Sequence, residues 1–145
     1  MISAPDLPAT QLCNYCYAFM FQGCTNLAVD PVLPAPALST SCYFNMFNGC
    51  TGLKSIDLAI SIKTIENNAF QGCTSVTFMS LGNVIKIKKN AFDGITEITT
   101  LGIPASVEEI HENSFTITAL NSAVFDGVKE PEICSDDTFD KETPE

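Results

Sequence analysis

Phe47-Asn48-Gly49-Cys50-Thr51 and Phe70-Gln71-Gly72-Cys73-Thr74 are two copies of one string, and its recurrence decides the fold. A third copy stands upstream at Phe21-Gln22-Gly23-Cys24-Thr25, and Phe92-Asp93-Gly94-Ile95-Thr96 repeats it with Ile in place of Cys. Weaker copies without the glycine centre on Phe115 and Phe139. Successive phenylalanines are 26, 23, 22, 23 and 24 residues apart. A period in the range of about 20 to 50 residues marks stacked supersecondary units rather than a single irregular core.

Working outward from the phenylalanine, a short polar residue precedes it by two positions in most copies: Asn45, Asn68, Asn90, Asn113 and Asp137. Glycine follows by two in the first four. Asn and Asp cap helix starts and glycine accepts the left-handed conformation that ends a helix, so Asn-Ala-Phe-x-Gly predicts a single helical turn with Phe pointing inward. The threonine after it suits a local turn. Next come apolar residues at positions 0, +3 and +5: Leu53, Ile56 and Leu58, then Val76, Met79 and Leu81, then Ile98, Leu101 and Ile103, then Leu120, Ala123 and Phe125. The last two of each set flank one exposed residue, the period of a strand with one buried face. A second extended pair follows in phase, Ile62 and Ile65, Val84 and Ile87, Val107 and Ile110. One such rung cannot bury its own apolar face, so neighbouring rungs must share a core.

The N-terminal third is a longer variant. Pro5-Asp6-Leu7-Pro8-Ala9, Leu12, Cys16-Tyr17 and Met20-Phe21 map at a shift of 26 onto Pro31-Val32-Leu33-Pro34-Ala35, Leu38, Cys42-Tyr43 and Met46-Phe47. Proline removes a ladder donor and fixes φ, which argues for a wider loop there. The expected organisation is one domain over 1–145, with longer Pro-rich repeats in 1–52, regular repeats of 22–23 residues in 53–127, and a degenerate terminal repeat with an acidic end in 128–145.

Composition narrows the function. The 145 residues are 46% hydrophobic and 17% charged, which fits a packed chain and not a disordered one. A net charge of −10 leaves no basic surface for phosphates, so nucleic acid is not an expected partner. No apolar run approaches the ~20 residues of a membrane span, and Met1-Ile2-Ser3-Ala4-Pro5 has neither the charged nor the apolar region of a signal peptide.

The run Phe-x-Gly-Cys-Thr-x-Leu-x-x-Ile-x-Leu followed by Ile-x-x-Asn-Ala-Phe resembles the BspA-like, or Treponema-pallidum-type, leucine-rich repeats of bacterial surface proteins. The resemblance covers nearly the whole chain and weakens after about Phe115. It implies an α/β solenoid, a right-handed leucine-rich-repeat coil of about six rungs of 22–26 residues with short parallel strands and single-turn helices. It also implies a secreted or cell-surface setting, a role in adhesion, and no catalytic residues to carry over.

The chemistry-bearing residues fit that picture. Cys24, Cys50 and Cys73 share one repeat position that Ile95 fills in the next rung, so they read as buried thiols rather than disulfide partners. Parallel Cβ vectors on stacked rungs also disfavour a bridge. Cys16 and Cys42 form a second such ladder. Cys13 and Cys16 make a Cys-x-x-Cys without further ligands to complete a zinc site, and Cys134 has no repeat partner. His111, the one histidine, aligns with Glu66 and Lys88 on an outward position, and the parallel set Thr64, Lys86 and Glu109 predicts solvated cross-rung pairs Glu66–Lys88 and Lys86–Glu109. No nucleophile, base or metal cluster stands out, so neither an enzyme nor a cofactor is expected. The outward strand positions, Ser55, Phe78, Thr100 and Ser122 with Asp57, Ser80, Gly102 and Val124, form the exposed sheet face, the usual binding surface of stacked repeats. Ser55, Asp57, Phe78, Ser80, Thr100, Ser122 and Val124 are the candidate ligand-binding residues. The expected partner is a host or bacterial surface protein or glycan. A rigid spacer is the alternative function, and exposed end rungs offer an edge for a homodimer.

Overall fold

A computed structural model of the chain describes residues 2–5, 7–9, 11–33, 41–58, 62–116, 119, 121–126 and 132–133. Its strands are short: β1 (Ile2–Ser3), β2 (Leu27–Val29), β3 (Ser55–Asp57), β4 (Thr64–Ile65), β5 (Phe78–Ser80), β6 (Lys86–Ile87), β7 (Thr100–Ile103), β8 (Glu109–Ile110), β9 (Ser122–Phe125) and β10 (Glu132–Ile133). Every pairing is parallel, and all but β1–β2, whose register shifts between Ile2 and Ser3, join equivalent positions of successive repeats. Thr64, Lys86, Glu109 and Glu132 stand in one register line along the ladder β4-β6-β8-β10. The first strands of the rungs form separate ladders, β1-β2, β3-β5 and β7-β9. Ile56 opposes Met79, and Leu101 opposes Ala123.

The apolar columns point where the period-two alternation directs them. Ile56, Leu58, Leu81, Leu101 and Ile103 are buried, as are Ile62, Ile65, Val84, Ile87, Val107 and Ile110 from the second extended segments. A stack of phenylalanines runs through the buried core. Ring centroids are 5.6 Å apart for Phe21–Phe47, 5.1 Å for Phe47–Phe70, 5.5 Å for Phe70–Phe92 and 5.3 Å for Phe92–Phe115, with planes within 15° of parallel. At a rung spacing of about 4.8 Å these are offset stacks, each adding roughly 0.5–1.5 kcal/mol to the burial of the rings. Tyr17 and Tyr43 stack in the same manner one step along the chain.

The single-turn helices expected around each phenylalanine are absent among the described residues. Hydrogen-bonded turns replace them, and the reason lies in where the amides go. Ala69, Gln71 and Cys73 donate to the carbonyls of Glu66, Asn68 and Phe70, three residues back, at 3.2, 3.3 and 3.2 Å. The alternating amides of Asn68, Phe70 and Gly72 instead donate to Lys89, Ala91 and Asp93 of the next rung, at 3.1, 2.8 and 2.8 Å. A helix would commit every amide to a carbonyl of its own segment. Asn68 and Gly72 break the helical run with φ of 54° and 72°, and Asn45, Asn90 and Asn113 adopt the same left-handed conformation. Asn tolerates that region better than most L-residues because its short amide side chain finds local partners. Here the partner is often the neighbouring repeat: Asn90 Nδ2 donates to Asn68 Oδ1 at 3.1 Å. Beside that ladder Asn48 donates to Gln71 Oε1 at 2.9 Å, and Gln71 donates to Asp93 at 2.8 Å. The Asn that was expected to cap a helix therefore shapes a turn and ties it to the next rung.

Glycine stacks on glycine along the same line. Gly49 and Gly72 have φ of 73° and 72°, and a Cβ built on Gly72 would lie 3.7 Å from Gly49 Cα. The space admits a methyl group; the backbone conformation is what excludes one.

Cys50 and Cys73 are fully buried, and each thiol donates to the carbonyl of the phenylalanine in the preceding rung, Cys50 to Phe21 at 3.0 Å and Cys73 to Phe47 at 3.2 Å. Burial pushes the Cys50 thiol up to about 11 and that of Cys73 to about 12. Cys42 is buried too, but Cys16 and Cys24 are exposed, contrary to the expectation for their ladders. Cys16 lies on the first described turn, and Cys24 lines an open cleft with Ser3, Ala4 and Pro5. Cys134 lies outside the described residues, as do Leu120, Asp137 and Phe139.

Candidate functional site

The alternation that buries Ile56 and half-buries Met79 turns their neighbours outward. Asp57 is exposed and Ser55 half-buried on β3, and on β5 Phe78 is 57% exposed beside the half-buried Ser80. The register sets Ser55 opposite Phe78 and Asp57 opposite Ser80, so Asp57 and Phe78 are diagonal neighbours, within reach of a large side chain. On the other ladder Thr100 opposes Ser122 and Gly102 opposes Val124, all four exposed.

The expected continuous face is thus divided. Ser55, Asp57, Phe78 and Ser80 share one ladder; Thr100, Ser122 and Val124 share another, and no strand pairing joins β5 to β7 among the described residues. The break coincides with the copy in which Ile95 replaces cysteine. Leu27, Leu53 and Val76 each donate to the cysteine carbonyl three residues back, at 3.0, 3.1 and 3.3 Å, a turn that leads the chain into the strand. No equivalent bond forms from Ile98 to Ile95, and the chain bends at Glu97.

One residue missed in the sequence belongs here. Asp30 follows β2, and its Oδ2 accepts the Asp57 amide at 3.5 Å. Burial, above all, raises the Asp30 carboxyl above its ordinary value, and the nearby Asp57 charge raises it further, against the lowering effect of the Asp57 amide. The two carboxylates share a cleft of about 220 Å³ with Val32, Leu33 and Leu58. Val32 is 73% exposed at its rim. Asp30-Pro31 sits in the long repeat, where the period does not single it out.

The opposite, second-segment ladder is charge-paired. Lys86 Nζ lies 2.8 Å from Glu109 Oε2 and Lys88 Nζ lies 2.8 Å from Glu66 Oε2, the two cross-rung pairs the repeat alignment predicts. Glu66 is only 4% exposed, so its pair with Lys88 is not the solvated one expected. Lys89 pairs with Glu112, and His111 Nε2 lies 3.4 Å from Glu109 Oε2. The Lys86 ammonium, bonded to Glu109, holds that carboxyl below its ordinary value, with a further contribution from His111. Lys86, Lys88 and Lys89 of this ladder are thus each neutralised by a carboxylate of a neighbouring rung. Among the described residues no group of three metal-ligating side chains occurs, and no helix is long and apolar enough to cross a membrane.

The model of the BspA type leucine rich repeat region matches residues 40–141, in six copies. The chain belongs to that family. No curated protein and no solved structure matches the chain. The structural repeat begins earlier than the match: the amides of Tyr17, Phe19, Phe21 and Gly23 donate to Cys42, Phe44, Met46 and Asn48 as later rungs donate to theirs. BspA-type repeats are generally interaction modules rather than enzymes, and that places the weight of this chain on its exposed faces.

Proposed function

We propose that this BspA-type chain winds as a right-handed solenoid and serves as an adhesion-type binding module of a secreted or cell-surface protein, recognising a protein or glycan through the outward face of its first strands. The observation that carries the reading is Phe78: a large aromatic side chain, more than half exposed, set diagonally from the Asp57 carboxylate on a ladder whose other outward residues are small and polar. Aromatic side chains in such settings supply much of the binding energy of interfaces, and small neighbours let a partner approach closely. Asp30, Asp57 and the net charge of −10 favour a partner that brings a positive group to the cleft. Ser55 and Ser80 flank that centre, and Thr100, Ser122 and Val124 extend the contact on the second ladder.

The reading is tested by measuring binding of the purified protein to mucin, extracellular-matrix proteins and bacterial-surface glycans. Saturable binding to one of them, weakened by salt, supports the module. Absence of binding to the whole panel favours a rigid spacer that holds another domain away from the surface.

A further inference from the structure

The Cys-x-x-Cys of the first turn is not used by the binding face, and its geometry is specific. Cys13 and Cys16 are both exposed and reduced. The Cys16 amide donates to the Cys13 carbonyl at 3.3 Å, closing a four-residue turn. Such a turn holds its end α-carbons within about 7 Å, and disulfides join α-carbons about 4.4–6.8 Å apart. Independently of the turn, the Cys13 amide donates to Cys16 Sγ at 2.8 Å. The second thiol is therefore folded back over the first cysteine instead of extending into solvent. This differs from the stacked cysteines of the core, whose side chains run parallel from rung to rung.

The neighbouring thiols are less suited. Cys42 approaches the same turn, but it is 0% exposed and its thiol donates to the Cys13 carbonyl at 3.2 Å, out of reach of a dissolved oxidant. Cys24 is exposed but lies beyond Phe21 and Gly23 in a separate turn of the same run. A metal use of the pair lacks a third ligand among the described residues.

We propose that Cys13 and Cys16 are a dithiol site that takes up a disulfide bond by exchange with a low-molecular-weight disulfide. One cysteine thiolate attacks a sulfur of the oxidant, forming a mixed disulfide and releasing one small thiol. The other cysteine then attacks the protein sulfur of that mixed disulfide, forming the Cys13–Cys16 bond and releasing the second small thiol. The oxidant gains two electrons, and the two cysteine protons end on the two released thiols. The bond clips Asn14 and Tyr15 between its ends. Tyr15 is 58% exposed and held at a φ of 58°, a conformation that a bulky L-residue adopts at a cost, so the clip fixes the presentation of this side chain at the exposed N-terminal turn.

The test uses the whole protein, incubated in its native state with oxidised glutathione, then alkylated, digested and analysed by mass spectrometry. The expected result is a linked Cys13–Cys16 peptide lighter by two hydrogens, with Cys24 outside any bridge. In Cys13→Ser or Cys16→Ser the remaining cysteine keeps a glutathione adduct, because nothing resolves it. Glutathione adducts on both cysteines of the unmodified sequence, a bridge from either to Cys24, Cys42 or a second molecule, or two unreacted thiols would each overturn the proposal.

Discussion

Phe47 and Phe70 lie with ring centroids 5.1 Å apart and planes 9° from parallel, the tightest step in a stack that runs from Phe21 to Phe115. Phe70 is buried between two rings, so truncating it opens a cavity that both flanking rungs line. Phe70→Ala is expected to cost about 3–5 kcal/mol in urea unfolding, the range for deleting a buried aromatic ring. Phe78→Ala, at an exposed position, is expected to stay within about 0.5 kcal/mol. Equal costs at the two positions would contradict the assignment of one phenylalanine to the core and the other to the surface.

Position 68 distinguishes a turn from a helix by the sign of a difference. In a helix interior alanine is favoured over glycine by about 1 kcal/mol. With Asn68 at a φ of 54°, alanine carries a left-handed penalty of roughly 1–2 kcal/mol that glycine avoids. Asn68→Gly is therefore expected to be more stable than Asn68→Ala, and both lose the side-chain bond from Asn90 equally. The reverse order would restore the helix.

Thiol reactivity follows burial. In the native protein under reducing conditions Cys13, Cys16 and Cys24 are expected to alkylate readily, whereas Cys42, Cys50 and Cys73 resist until the chain unfolds. With burial holding Cys50 near 11 and Cys73 near 12, raising the pH to 9 produces little thiolate at either. Rapid native labelling of Cys73 would show that the rungs do not stack over it.

Asp30 gives a pH dependence of defined sign. Its carboxyl is raised in the folded chain, chiefly by burial, so between its unfolded and folded values the folded state binds more protons. Stability from this group is complete below the ordinary carboxylate range and is lost as pH rises through the folded value. Asp30→Asn keeps an oxygen for the Asp57 amide and removes the charge. The variant is expected to gain stability relative to the parent between acid and neutral pH; a constant difference across that range would contradict the shift.

Much of this architecture is legible in the residues themselves. The phenylalanine period, the columns Ile56–Met79 and Ile65–Ile87–Ile110, and the pairs Lys88–Glu66 and Lys86–Glu109 all follow from aligning copies, because stacked rungs place equivalent positions side by side. The turns were harder to read, since Asn before and glycine after a phenylalanine suit helix ends and left-handed turn positions equally. Only the bonds from Phe70 to Ala91 and from Gly72 to Asp93 decide between them, and those depend on a neighbour 21 residues away rather than on local preference. The division of the outward face between Ser80 and Thr100 coincides with a turn that lacks the bond from Ile98 to Ile95, a backbone feature that a hydrophobic pattern does not register. Asp30 aligns with Ala4 at the shift of 26, so the repeat gives it no acidic counterpart, and its significance comes from the Asp57 amide reaching it across rungs.

The most direct test of the binding account compares two faces of one molecule. Against the ligand found in the panel, affinity is measured for the parent, for Phe78→Ala/Asp57→Ala on the first-strand face, and for Lys86→Ala/Glu109→Ala on the charge-paired ladder, with far-ultraviolet circular dichroism confirming that all three stay folded. The account predicts a loss of at least about tenfold, or roughly 1.4 kcal/mol, for the first variant and little change for the second. Full affinity in Phe78→Ala/Asp57→Ala, or a loss confined to Lys86→Ala/Glu109→Ala, would contradict it.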